Sequence, residues 1–191
     1  MIYSKRGGAC FVPHIALAQI FARSASRAGY SLMMTQGFSP RAKLSFGPEL
    51  PAGVVALNEP VDMYFTSDPE DVVDAMNAAL PEGFRLSRAI AVPEDAPSLG
   101  KSCRHAEYLM RNTSGLELGG LAGKFWGESV VMSERKDDWS RVIVADPAQN
   151  PVGGFVKSLV RDGVITGWHE MNIVRVSVGI YDAEKGCVIN A

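Results

Sequence analysis

The residues best suited to chemistry lie near the start of the chain, in the run Gly37-Phe38-Ser39-Pro40-Arg41-Ala42-Lys43. Gly37 permits a backbone of positive φ, and Ser39 before Pro40 is pushed towards an extended conformation. A loop of this kind presents backbone N–H groups, a hydroxyl and two cations on one side, which is the make-up of an anion nest. Phe38 stands either as a platform for base stacking or as a buried plug; a lone aromatic beside glycine usually packs inward, so the plug is the expectation. The chemistry implied is recognition of phosphate or carboxylate.

The charge pattern points the same way. Residues 1–48 hold Lys5, Arg6, Arg23, Arg27, Arg41 and Lys43 and no acid, a balance of +6. Residues 49–100 hold ten acids and two bases, or −8, and residues 101–191 hold eleven of each. A net charge of −2 therefore conceals a basic first quarter that can attract anions and an acidic middle that cannot.

The element that must carry the other cations is a helix opening near Pro13. Leu17, Ile20, Phe21, Ser24, Ala25 and Ala28 follow a 3.6-residue period and form one face, and Gly29 closes the helix. Arg23 and Arg27 fall on the opposite side, where two helix arginines are most often a solvated face; the acid-free surroundings favour a shared ligand instead. His14, at the helix start, is placed to contact a phosphate or to serve as a buried cap.

The bulk numbers bound the rest. A chain of 191 residues, 47% hydrophobic and 21% charged, can bury a sizeable core as one domain or two small ones. Cys10, Cys103 and Cys187 are odd in number and widely spaced, which fits no disulfide framework or local metal site and suits a reducing cytoplasm. No secretory signal and no membrane-length apolar run is visible.

Along the chain, residues 1–12 read as a strand interrupted at Gly7-Gly8, and residues 30–34 and 43–46 as short strand pieces flanking the basic loop. Residues 48–53 form a rigid connector with two prolines, and 61–65 alternate as a strand. Asp68-Pro69-Glu70-Asp71 is a helix start, with Val72, Val73, Met76, Ala79 and Leu80 as its buried stripe. Residues 84–92 read as a strand, and Pro93-Glu94-Asp95-Ala96-Pro97-Ser98 as a linker. The order then repeats: strand 105–111, a glycine-broken helix 114–126, strands 129–135 and 140–145, a helix from Asn150-Pro151, and a strand 168–181. We expect an α+β fold of two ferredoxin-like split βαβ units, 1–96 and 97–191, set side by side. Each has an antiparallel sheet with helices on one face, and a cleft runs between the two sheets.

Phe11, His14, Leu17, Phe21, Arg23, Arg27-Ala28-Gly29, Gly37-Phe38, Pro40, Lys43, Ser45-Phe46, Pro48, Leu50-Pro51, Gly53, Glu59 and Asp62 together resemble the radical SAM-linked proteins, a bacterial family of unknown function also called DUF2344. The likeness is specific over about residues 1–65 and diffuse beyond, where Leu80-Pro81-Glu82-Gly83, Ala106-Glu107-Tyr108 and Arg175 remain similar. It implies an accessory domain that partners a cobalamin-type radical SAM enzyme and handles RNA, with no established activity and no cofactor of its own. The chain departs from the family pattern at Pro13-His14-Ile15-Ala16, where an acid is lost, and at Ser39, Arg41 and Ala42, where an amide and an imidazole are lost.

Other motifs carry less. The chain lacks the Cys-x3-Cys-x2-Cys run of a radical SAM cluster. Gly119-Gly120-Leu121-Ala122-Gly123-Lys124 resembles a phosphate loop only superficially, with no Ser or Thr after the lysine. Cys103-Arg104-His105 has no further ligands at zinc spacing, and His169 has no nucleophile elbow to work with. The expectation is a noncatalytic module that grips an anionic ligand, RNA foremost, through His14, Arg23, Arg27, Phe38, Ser39, Arg41 and Lys43. The alternative is a protein-docking subunit for the radical SAM enzyme. An RNA-modifying enzyme ranks last, because residues 1–48 offer no aspartate.

Overall fold

The computed structural model describes residues 1–93 and 95–190; Glu94, within the expected linker, lies outside them. The fold is mixed α/β, with nine strands in one large, mostly antiparallel sheet and five helices among the described residues. In the first half come β1 (Ile2–Lys5), α1 (His14–Arg27), β2 (Leu44–Phe46), β3 (Val55–Met63), α2 (Val72–Ala79) and β4 (Phe84–Arg88). The second half has α3 (Leu99–Ser102), β5 (His105–Asn112), α4 (Leu118–Trp126), β6 (Val130–Lys136), β7 (Trp139–Ala145), α5 (Val152–Arg161), β8 (Met171–Asp182) and β9 (Cys187–Asn190).

The sheet runs β4-β1-β3-β8-β5-β7-β6, with β2 also on β3 and β9 on β8. The expected pair of separate sheets is thus corrected. Val55 and Ala56 of β3 pair in parallel with Val174 and Arg175 of β8, fusing the halves into one sheet. The interior edges are joined because β3 is nine residues long while β2 covers only its last three, leaving its first residues free to pair elsewhere. The connector fills part of the expected cleft. Leu50 is buried in the second half's core, and Pro51 packs on Gly153 at the start of α5, where an added Cβ would come within 3.1 Å of the proline ring.

Two apolar clusters hold the layers together. One gathers Tyr3, Leu17, Phe21, Ala25, Val61, Met76 and Leu86; the other centres on Tyr108, Trp126, Val142, Phe155 and Ile173 and takes in Leu50, Val54 and Ala56 from the first half. α1 forms as its periodicity requires, with Leu17, Phe21, Ser24 and Ala25 buried and Gly29 at φ +85 ending it. At the sheet's outer strand β4, the Asn77 side chain accepts from Leu86 N–H and donates to Leu86 C=O, closing part of an edge that would otherwise be open to pairing.

Several boundaries shift for local reasons. β1 ends at Lys5, and residues 7–11 turn into a 3-10 helix rather than continuing the strand. α2 begins at Val72, not at Asp68: the Glu70 carbonyl is taken by the Tyr30 hydroxyl, and Asp71 enters the helix from φ +46 without a side-chain cap. β4 stops at Arg88, and residues 30–34 contribute only isolated bridges. β9 is an added strand, hairpinned on β8, beyond the elements expected from the sequence.

Candidate functional site

The basic loop is a projecting hairpin. Leu32 bridges Phe65 and Met34 bridges Ala42, while Lys43 N–H donates to Met33 C=O (2.7 Å) and Thr35 N–H to Arg41 C=O (2.7 Å). The Thr35 hydroxyl accepts from Arg41 N–H at 3.0 Å, closing the turn. At its tip Phe38 is fully exposed, which corrects the expected plug: Gly37 at φ +137 turns the chain outward and no core lies within reach. Ser39 and Arg41 are exposed beside it, as are Met33 and Met34. Lys43 lies with its ammonium 3.9 Å from the centre of the Tyr64 ring, so a cation–π contact orients it.

The remaining expected residues divide. Arg23 is exposed on α1. Arg27 is also exposed, yet its guanidinium donates to Ala79 C=O (2.6 Å) and to Ser24 Oγ (3.0 Å), binding α1 to the end of α2. The charge there complements a helix C-terminus as well as any ligand. His14 stands at the opposite end of α1, about 20 Å from Arg27 by helical rise. Its ring meets Phe46 edge-on at 5.9 Å. Burial lowers its pKa, with Glu49 opposing and Arg175 assisting.

His14 therefore belongs to a second site, the seam where β3 meets β8. The register sets Tyr3 opposite Glu59, Lys5 opposite Ala56, and Ala56 opposite Arg175, and an irregularity in the β1–β3 pairing between Ala56 and Glu59 lets Glu59 share the face of Arg175. Arg175, 1% exposed, donates from Nε and Nη2 to both oxygens of Glu59, from Nη2 to Pro48 C=O (2.8 Å) and from Nη1 to Glu49 C=O (3.3 Å). Four of its five N–H groups are engaged, which leaves little to offer a ligand. Burial, the largest influence, disfavours its charge, but Glu59 and Tyr108 together outweigh it, so the guanidinium stays protonated.

Lys5 is 2% exposed; its ammonium donates to Val12 C=O at 3.3 Å, and burial lowers its pKa, with Cys10 and Glu59 opposing. Burial likewise pushes the Cys103 thiol up to about 12, so it stays neutral. The seam is a desolvated clamp in which the Arg175–Glu59 pair fixes the connector over the junction.

The sequence reading assigned no role at the seam to Lys5, Glu59 or Arg175. Glu59 sits amid apolar β3 positions and Arg175 alternates with Ile173 and Ser177 on a core strand, which is the signal that a charge so placed must be paired. The glycine run in α4 is accounted for: Glu117 caps the helix, accepting from Gly119 and Gly120 N–H at 2.7 Å each, so the amides a phosphate would need are taken. His105 Nδ1 accepts from Tyr181 N–H at 3.2 Å and Arg104 pairs with Asp146, as strand-entry contacts. Among the described residues no group of three His, Cys, Asp or Glu is placed to hold a metal, and no helix is long and apolar enough to cross a membrane.

No curated protein matches the sequence. Residues 1–145 of the 191 match the family model described as "Uncharacterized protein conserved in bacteria (DUF2344)". With the hairpin, α1 and most of the fused sheet inside that match, the chain belongs to the DUF2344 family.

Proposed function

We propose that this protein is a noncatalytic accessory module that binds single-stranded RNA through the hairpin of residues 33–43 and the outer face of α1. The observation that carries the reading is Phe38, fully exposed at the tip of a hydrogen-bonded hairpin between Arg41 and an acid-free basic surface. An aromatic ring held in water beside cations is what stacking on an unpaired base requires, with phosphates neutralised by Arg23, Arg41 and Lys43. Arg27 adds field but is tied to α2, and Ser39 offers a hydroxyl at the tip.

The test is anisotropy of a short fluorescent single-stranded RNA across a salt series. Each phosphate contact adds about −0.7 to the slope of log affinity against log salt, so Arg23→Ala/Arg41→Ala should weaken binding and flatten the slope by about 1.4. Salt-insensitive binding, or binding unchanged in the double variant, rejects the reading.

A second reading, docking on a cobalamin-type radical SAM enzyme, draws on Met33 and Met34, whose exposed thioethers on the same hairpin suit a protein surface. A stable complex that survives the double charge removal favours it over RNA. We further infer a tandem of ferredoxin-like units divided at 96/97. Supporting it, the halves order their strands alike: β4-β1-β3-β2 in the first and β8-β5-β7-β6 in the second, each the fourth-first-third-second of its own set. Three free cysteines suit a cytoplasmic setting.

A further inference from the structure

At the end of α1 remote from the hairpin, a cavity of about 380 Å³ opens along the seam. Its floor is Val54 and Ile173, both buried, and its walls include Phe11 and Trp168, with His169 at the rim. Phe11 is 73% exposed, an aromatic ring kept in water at the mouth of an apolar hollow. Gly53 lines the cavity at φ +90, a backbone conformation that favours glycine.

We infer that this cavity is a second base-binding site, taking one planar nucleobase between Phe11 and Trp168 from the same RNA strand that the hairpin holds. The inference rests on the RNA reading above. The volume falls within the range of small-molecule sites, and two aromatic walls over an aliphatic floor suit a flat ring rather than a phosphate. The charge pattern selects the occupant. Phe11 and the hairpin are joined by α1, whose outer face carries Arg23 and no acid, a track complementary to a phosphate backbone.

The probes are a twelve-nucleotide oligo(A) RNA, free adenosine and N-acetylphenylalaninamide, none of which emits in the tryptophan band. Each is titrated against the intrinsic tryptophan fluorescence of the full chain and of Trp168→Phe, with Phe11→Ala as the affinity variant. The expected result is quenching by RNA and by adenosine that is absent in Trp168→Phe, with RNA affinity lowered about 5- to 100-fold in Phe11→Ala at an unchanged salt slope. RNA binding that depends on Arg23 and Arg41 but leaves Trp168 fluorescence and Phe11→Ala affinity unchanged overturns the second site and keeps the hairpin reading. Adenosine quenching through Trp168 with RNA affinity indifferent to Arg23 and Arg41 keeps the base site and discards the hairpin. A shift of Trp168 emission by N-acetylphenylalaninamide without a response to adenosine, or a response to none of the three, overturns the inference, the former in favour of an aromatic side chain of a protein partner.

Discussion

The seam and the hairpin invert the usual placement of side chains in opposite senses. At the seam, Lys5, Glu59 and Arg175 carry charge into the interior; at the hairpin, Phe38, Met33 and Met34 carry apolar surface into water. Either arrangement costs stability unless something compensates. The seam compensates itself, because Arg175 and Glu59 satisfy one another and the connector's carbonyls complete the set. Among the described residues nothing covers Phe38, Met33 and Met34 of the hairpin. An internally satisfied anomaly is architecture, and an unsatisfied one points to a partner.

The sharpest way to break this contrast is Glu59→Ala, which strands a buried guanidinium. It should lower unfolding free energy by about 3–5 kcal/mol, read from urea denaturation, whereas Phe38→Ala should stay within about 0.5 kcal/mol of wild type. Comparable losses in the two variants would erase the distinction. The converse measurement is affinity: Phe38→Ala should weaken single-stranded RNA binding by about 1–3 kcal/mol with an unaltered urea midpoint. An intermediate case is Asn77→Ala, which uncovers the Leu86 backbone groups on β4. It should cost about 1 kcal/mol and raise the dimer fraction on size-exclusion chromatography, since an uncapped edge invites pairing.

The smallest effect belongs to His14, which stands at the seam end of the basic helix, remote from the hairpin. Its pKa is held below the ordinary value of 6.5 by burial, so as pH falls below that value the unfolded chain takes up the proton before the folded one does. The stability it lends is present above pH 6.5 and is lost as pH drops towards the folded value. Between pH 7 and pH 5 the melting temperature of wild type should therefore fall more steeply than that of His14→Gln. Parallel slopes would mean that His14 is solvated and no part of the seam.

Much of the local structure is legible in the residues. The stripe Leu17, Phe21, Ser24 and Ala25 marks α1, Gly29 its end, and the strand and helix order of the second half follows from periodicity and from Pro151. The alternation of a strand tells which face is buried but not which strand lies beside it, so the parallel contact of Val55 and Ala56 with Val174 and Arg175 is invisible in one sequence. Lys5 reads as a surface charge for the same reason, since its burial comes from neighbours elsewhere in the chain. Phe38 fails differently: packing statistics predict an inward ring, and the hairpin's own hydrogen bonds hold it out. Arg23, Arg41 and Lys43 are all exposed, as a basic, acid-free stretch suggests, whereas His14 needs the fold to show that the field of Arg175 reaches it.

The ion pair at the seam also bears on how the chain comes off the ribosome. Glu59 and Arg175 are 116 residues apart. At about 5–20 residues per second, roughly 6 to 23 s of synthesis separate them. Throughout that interval the nascent first half has a carboxylate bound for the interior and no guanidinium to meet it, and the start of β3 is an open edge. The amino-terminal half thus waits for its carboxy-terminal partner, and the vulnerable species in the life of this protein is the unfinished one.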